Sequence, residues 1–262
     1  MPQQQPADWL APLHARQLLP AGTVAAFVVG SAARGWHNAR SDYDVYVVTT
    51  EEWRTATSGS ILMPLNPPRV RSEMFYEDGR RWEVTYWTES QIDQMLAKVG
   101  WEVYERGIIA GEVLTPREEV SLARLGTCLP LLGEEWVDAK NRELQKSAFR
   151  SFVVVRSLGA ADDAVEDALG QMESGSLEAA TLSARRALGH AVDALLEGEG
   201  EYGSHMPKWR PHRFRAAAPE ALSFEEYWAL ETMQGYDRAD PRPWIRTVLT
   251  ICQDISMRVE TS

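Results

Sequence analysis

Two hydrophobic rhythms divide this chain of 262 residues. Up to about residue 114, apolar positions come in short continuous or alternating runs. Beyond it, Leu, Ala and Val recur every three or four residues, through Arg150 to Leu169 and again through Leu177 to Leu196. Short continuous or period-two runs predict strands, and three-to-four spacing predicts helices with one buried stripe. The predicted fold class is α+β: an α/β domain with a mixed sheet over residues 1–114, followed by an all-α helical bundle over 115–262. No low-complexity linker or repeat separates the halves, so the boundary reads as a change of structural type rather than a tether.

Within the first half, a short amphipathic helix ending near Leu19 leads to the apolar run Thr23 to Val29, closed by Gly30-Ser31, as expected for a buried strand entering a turn. A short helix and loop over Ala32 to Arg40 lead to DYDVYVVT, Asp42 to Thr49, whose β-branched and aromatic residues predict a second strand beside the first. Val70 to Tyr76 and Arg81 to Trp87 flank Glu77-Asp78-Gly79, a hairpin signal in which Asp-Gly supplies positive φ angles. Thr88 with Gln91 three residues later predicts a capping box, with Ile92, Met95 and Leu96 on one helical face. In the second half, Ser174-Gly175-Ser176 and Gly198 to Gly203 punctuate the helices. Pro219 to Gly235 and Pro243 to Arg258 supply two more.

Composition narrows the class. With 44% hydrophobic residues and ten tryptophans, there is apolar surface enough for a core. A net charge of −11 argues against extended nucleic-acid binding, which needs clustered cations to neutralise phosphates. Only four of the 27 basic residues are lysine, a bias that suits bidentate phosphate contacts and equally a GC-rich genome. Cys128 and Cys252 stand apart, without a metal-ligand spacing, and read as buried free thiols. The opening MPQQQPADWL has no signal-peptide pattern and no run of 18 apolar residues occurs, so a cytoplasmic protein without a membrane span is expected.

The candidate chemistry lies in the first half. Gly30-Ser31 places a turn at the end of one strand, where glycine lets an anion approach the backbone and Ser31 adds a hydroxyl. Asp42 and Asp44 begin the next strand. Side chains alternate along a strand, so the two acids share a face about 7 Å apart at Cα, close enough to hold a hard cation such as Mg²⁺. Glu83 sits in mid-strand, where an acid is costly unless exposed, paired or liganding. If the hairpin flanks the Asp strand, Glu83 completes a carboxylate trio able to hold two ions or to deprotonate a hydroxyl. The plainer reading gives Asp42 and Asp44 to Asx-type turns and pairs Glu83 with Arg71 or Arg81.

Gly30-Ser31, ten intervening residues, Asp42-Tyr43-Asp44 and a later strand acid resemble the nucleotidyltransferase superfamily of DNA polymerase beta, over residues 21 to 87. The form GSAARGWHNARSDYDVYVV is most similar to the small adenylyltransferases that modify aminoglycoside antibiotics of the streptomycin and spectinomycin type, which also end in a helical domain. The resemblance implies that Gly30 and Ser31 bind a triphosphate, that Asp42 and Asp44 hold Mg²⁺, that Glu83 is third ligand or base, and that the helical half shapes the acceptor pocket. It implies an enzyme that moves AMP from ATP, or another nucleoside monophosphate, to a hydroxyl of a small and possibly cationic acceptor, releasing pyrophosphate. A protein-modifying, antitoxin-like AMP transferase and an inactive nucleotide-binding member of the family are the alternatives.

Some residues carry weaker signals. Arg34, His37 and Arg40 lie between the turn and the acids, where guanidinium groups can meet phosphate or simply face solvent. Lys208-Trp209 in a basic stretch suits a stacked base with a cation beside its phosphates, and equally a surface loop. Glu102, Glu105, Glu112, Glu134 and Glu135 can draw a cationic acceptor or merely solvate helix faces. Arg185 and His190 match the spacing of the HEPN ribonucleases, but five residues put them about 140° apart around a helix.

Overall fold

The computed structural model describes residues 6–54, 58–107 and 110–261. Twelve α-helices, six strands and one 3-10 turn are found among them. In chain order they are α1 (Pro6–Ala15), β1 (Thr23–Val29), α2 (Gly30–Ala33), β2 (Tyr43–Thr49), β3 (Gly59–Leu62), β4 (Arg69–Glu77) and β5 (Arg80–Thr88). Then come α3 (Glu89–Lys98), α4 (Trp101–Glu105), α5 (Ala110–Val113), α6 (Pro116–Leu125), β6 (Leu129–Leu132) and α7 (Glu134–Lys146). Last are α8 (Phe149–Glu173), α9 (Leu177–Gly198), the 3-10 turn Pro207–Trp209, α10 (Arg210–Ala217), α11 (Phe224–Glu231) and α12 (Arg242–Arg258). The architecture is α+β, a mixed sheet with helices followed by a helical region. Among the described residues no helix is long and apolar enough to cross a membrane.

The sheet runs β3-β4-β5-β2-β1-β6, with β2 and β5 parallel and every other neighbouring pair antiparallel. Alternation along β2 sends Tyr43, Val45 and Val47 to one face, where they pack with Trp82, Val84 and Tyr86 of β5 and with Trp9 and Leu13 of α1. Trp9, Tyr43 and Trp82 meet edge to face, with ring centroids 4.5 to 5.4 Å apart. The opposite face carries Asp44, Tyr46 and Glu83.

Local chemistry explains the hairpin and the cap. Asp78 and Gly79 both take positive φ, 50° and 74°, as a two-residue turn between twisted strands requires. At the head of α3, the Gln91 N–H donates to Thr88 Oγ1 at 3.2 Å and the Thr88 N–H donates to Gln91 Oε1 at 3.0 Å, closing the predicted capping box.

The chain forms two compact units, residues 1–103 with 117–147 and residues 104–116 with 148–262. The expected division near residue 114 therefore differs from the observed one, and the reason is β6. Leu129 to Leu132 pairs antiparallel with β1, which carries α6 and α7 into the sheet unit. Gly133, at φ 68°, sits so close to β1 that a Cβ would collide with the Val24 carbonyl oxygen and lie 2.9 Å from Ala25 Cα. Only glycine permits that approach. Helix α1 also ends earlier than expected, at Ala15, where Gln17 turns to positive φ.

The second unit is built on the apolar stripes of α8, α9 and α12, with Phe214 of α10 and Tyr227 of α11 stacked at 4.9 Å between ring centroids. Its interior also holds charge. Asp193 accepts from Arg210 at 2.8 Å and from Arg213 at 2.7 Å, and Glu197 accepts from Ser157 Oγ at 2.6 Å and from Arg156 at 3.3 Å. Both acids are buried, and such groups persist inside a core only when paired in this way. Cys252 is buried in the same unit and Cys128 half-buried in the first. Burial pushes both thiols up to about 12, so both are inert thiols rather than thiolates.

Candidate active site

β1 ends at Val29, the register partner of Asp44 on β2. The chain then turns through Gly30 at φ 69°. A Cβ at Gly30 would lie 3.0 Å from Asp44 Oδ2 and 3.6 Å from Arg124 Nη2, so glycine is needed here both for its conformation and for clearance. The turn is tightened by Ser31, whose carbonyl oxygen accepts from the Trp36 N–H at 2.9 Å and from the His37 N–H at 3.2 Å. Helix α2 is only the four residues Gly30–Ala33, shorter than the expected helix within Ala32 to Arg40. A single turn has almost no aligned dipole, so the helix itself adds little attraction for an anion at this point.

Asp44 and Glu83 are register partners on the parallel strands β2 and β5, and Asp42 lies just before β2 on the side of Asp44. The hairpin therefore flanks the Asp strand and brings all three predicted acids to one face. Their charges act on one another. Burial pushes the Asp44 carboxyl above its ordinary 3.8; Arg124 pulls against this, while Asp42 and Glu83 add to it. At Asp42 the hydrogen bond from Arg81 dominates and holds the carboxyl below its ordinary value.

Two arginines that the sequence reading did not assign to the site are part of it. Arg81 is ion-paired with Asp42. Arg124, in the last turn of α6, donates to Asp44 Oδ2 at 3.2 Å and to Tyr46 Oη at 3.2 Å. Neither Arg71 nor Arg81 takes Glu83, because Arg71 pairs with Glu52 and Arg81 with Asp42. Arg81 was readable in principle, since it lies two residues from Glu83 on one strand and so shares its face. Arg124 carries no local signal; only the tertiary placement of α6 brings it to Asp44.

The remaining candidates are spread more widely. The Arg34 guanidinium stacks over the Trp36 ring at 4.0 Å. Arg40 is exposed, and its N–H donates to Asn38 Oδ1 at 2.8 Å, so the expected Asx turn is formed at Asn38 rather than at the acids. Lys208 belongs to the second unit, where its ammonium lies 5.1 Å from the centre of the Trp209 ring. In that unit too, Arg185 faces Glu231 at 4.0 Å, and burial lowers the pKa of His190.

Oxygen-only donors on one face are the type that holds Mg²⁺. Their arrangement does not fit an ion as it stands. Among the described residues no group of three or more His, Cys, Asp or Glu side chains could hold a metal. Asp42 and Asp44 are each engaged by a guanidinium instead. What the face offers is a glycine turn with the Arg124 guanidinium beside it, a carboxylate in mid-strand at Glu83, and the Arg81 guanidinium on Asp42.

No protein-family model matches the chain, and no curated protein matches it. Among solved structures the chain is similar to a crystal structure of a nucleotidyltransferase-like protein from Exiguobacterium sibiricum 255-15, with 10% identity and a TM-score of 0.49, over 94% of this chain and 72% of that one.

Proposed function

We propose that the chain is a nucleotidyltransferase that moves a nucleoside monophosphate, AMP from ATP in the first instance, to a hydroxyl of a small acceptor, with pyrophosphate as the other product. The observation that carries the reading is the contiguity of three parts. The Gly30 turn lies against Asp44, which lies in register with Glu83 on the neighbouring parallel strand. The sequence resemblance over residues 21 to 87 assigns the first two parts to the triphosphate and the cation, and makes Glu83 a third ligand or the base.

In this reading the β- and γ-phosphates lie at the Gly30-Ser31 turn, where the backbone is accessible for want of a side chain. The acceptor oxygen forms a bond to the α-phosphorus as the bond from that phosphorus to the pyrophosphate oxygen breaks. Glu83 takes the hydroxyl proton, and pyrophosphate leaves with the electron pair. The donor type of Asp42 and Asp44 keeps Mg²⁺ in the reading, although an ion there first has to displace Arg124 from Asp44. Aminoglycoside-like acceptors come from the resemblance alone.

The test is a pyrophosphate-release screen of nucleoside triphosphates against a panel of hydroxylated acceptors, with Asp44→Asn as the blank. Release that depends on an acceptor and disappears in Asp44→Asn supports the reading; equal release from both proteins ends it. The guanidiniums already bound to Asp42 and Asp44 favour one second reading, a nucleotide-binding protein without turnover. It predicts saturable nucleotide binding with no pyrophosphate from any acceptor.

A further inference from the structure

The mismatch between the acids and an ion centres on Arg124. Its guanidinium bridges Asp44 and Tyr46, both at 3.2 Å, and one of its nitrogens lies 3.6 Å from where a Cβ on Gly30 would be. It therefore faces the acid and the glycine turn at once. Its position is anchored from behind. Lys98 of α3 pairs with Glu118 of α6 at 2.6 Å, and the Tyr46 hydroxyl lies 3.4 Å from Ser121 Oγ, also on α6. Asp44 and Tyr46 use two of the five N–H donors a guanidinium presents. With α2 only one turn long, its dipole adds little charge at the turn, and Arg124 is placed to supply it.

We infer that Arg124 has two successive partners: it is the counter-ion of Asp44 before a ligand binds, and it becomes a phosphate-binding residue when a polyphosphate occupies the Gly30-Ser31 turn. The inference rests on the proposed nucleotidyltransferase reading and adds a residue to it. An arginine in this position couples the two ligands through Arg124. A divalent cation at Asp44 has to displace the guanidinium, whereas a polyphosphate recruits it. Polyphosphate binding thus frees Asp44, which gives an order in which anion and cation assist each other.

The experiment measures equilibrium binding of two simple probes, inorganic tripolyphosphate without metal and Mn²⁺ without nucleotide, to wild type, Arg124→Gln and Arg124→Lys. Loss of a charge-assisted hydrogen bond to phosphate is expected to weaken tripolyphosphate by about ten- to a hundred-fold in Arg124→Gln. Release of Asp44 is expected to tighten Mn²⁺ in the same variant. Arg124→Lys keeps the charge but not the fork that spans Asp44 and Tyr46, so both affinities should move the same way by less. It also serves if Arg124→Gln does not fold. Changes of opposite sign support the inference. Two affinities that both fall, or neither of which moves, overturn it. Because neither probe is turned over, a protein with opposed shifts but no pyrophosphate release keeps the inference and loses the function. Turnover in the screen with unmoved affinities does the reverse.

Discussion

The place a Gly30 Cβ would occupy lies 3.0 Å from Asp44 Oδ2, and Gly30 itself is at φ 69°. A left-handed backbone costs a non-glycine residue about 1 to 2 kcal/mol, and the new methyl would also push the Asp44 carboxylate aside. Gly30→Ala should therefore lower the free energy of unfolding by about 1 to 2 kcal/mol, read from the urea midpoint. It should also weaken tripolyphosphate binding in protein that is still folded. If both the midpoint and the affinity match wild type, the turn is neither strained nor part of the site.

A second prediction concerns the buried acid Glu197. Burial raises its pKa above the ordinary 4.5, outweighing the pull of Arg156 and the bond from Ser157. The folded state thus holds this proton more tightly than the unfolded state does. By linkage, the ionised glutamate weakens folding above its raised pKa, and the penalty fades as pH falls through that value towards 4.5. Glu197→Gln removes the titration but not the volume. Whatever constant offset the amide brings, the stability of the variant relative to wild type should rise between pH 4 and pH 7. Thermal melts of both proteins across that range check the sign, and a difference that falls with pH excludes it.

The legibility of this molecule in its sequence follows the range of the interactions involved. The Asp78-Gly79 turn and the Thr88 to Gln91 cap are local devices, formed by residues within three positions of one another, and both were readable. The grouping of Asp42, Asp44 and Glu83 on one face follows from strand alternation and one assumption, that the hairpin lies beside β2. Strand β6 was not readable: Leu129 to Leu132 is four residues with a proline inside, and only its pairing with β1 makes it a strand. The unit boundary moved with it.

The arginines mark the same limit. Ion pairing of Glu83 with Arg71 or Arg81 was a sound local alternative, yet each guanidinium goes to a different acid. Arg124 lies 80 positions along the chain from Asp44, and nothing near it in sequence distinguishes it from the other arginines. Folding turns two acids that read as free in the sequence into two acid-guanidinium contacts.

Glu83 separates the mechanism most sharply from mere nucleotide binding. Its two neighbours in register are Asp44 on β2 and Met74 on β4, an apolar side chain 60% exposed, so the carboxylate stands at the border between the acids and open surface. In the proposed reaction Glu83 is the base, a role exerted mainly in the transition state, so Glu83→Gln should leave tripolyphosphate affinity within about twofold while lowering kcat by about 100- to 10,000-fold. The amide is nearly isosteric and disturbs no ion pair to Arg71 or Arg81. Single-turnover rates at saturating nucleotide, alongside the binding measurement, decide the matter. A wild-type rate removes Glu83 from the chemistry, and a matched loss of affinity assigns it to the ground-state nucleotide site instead.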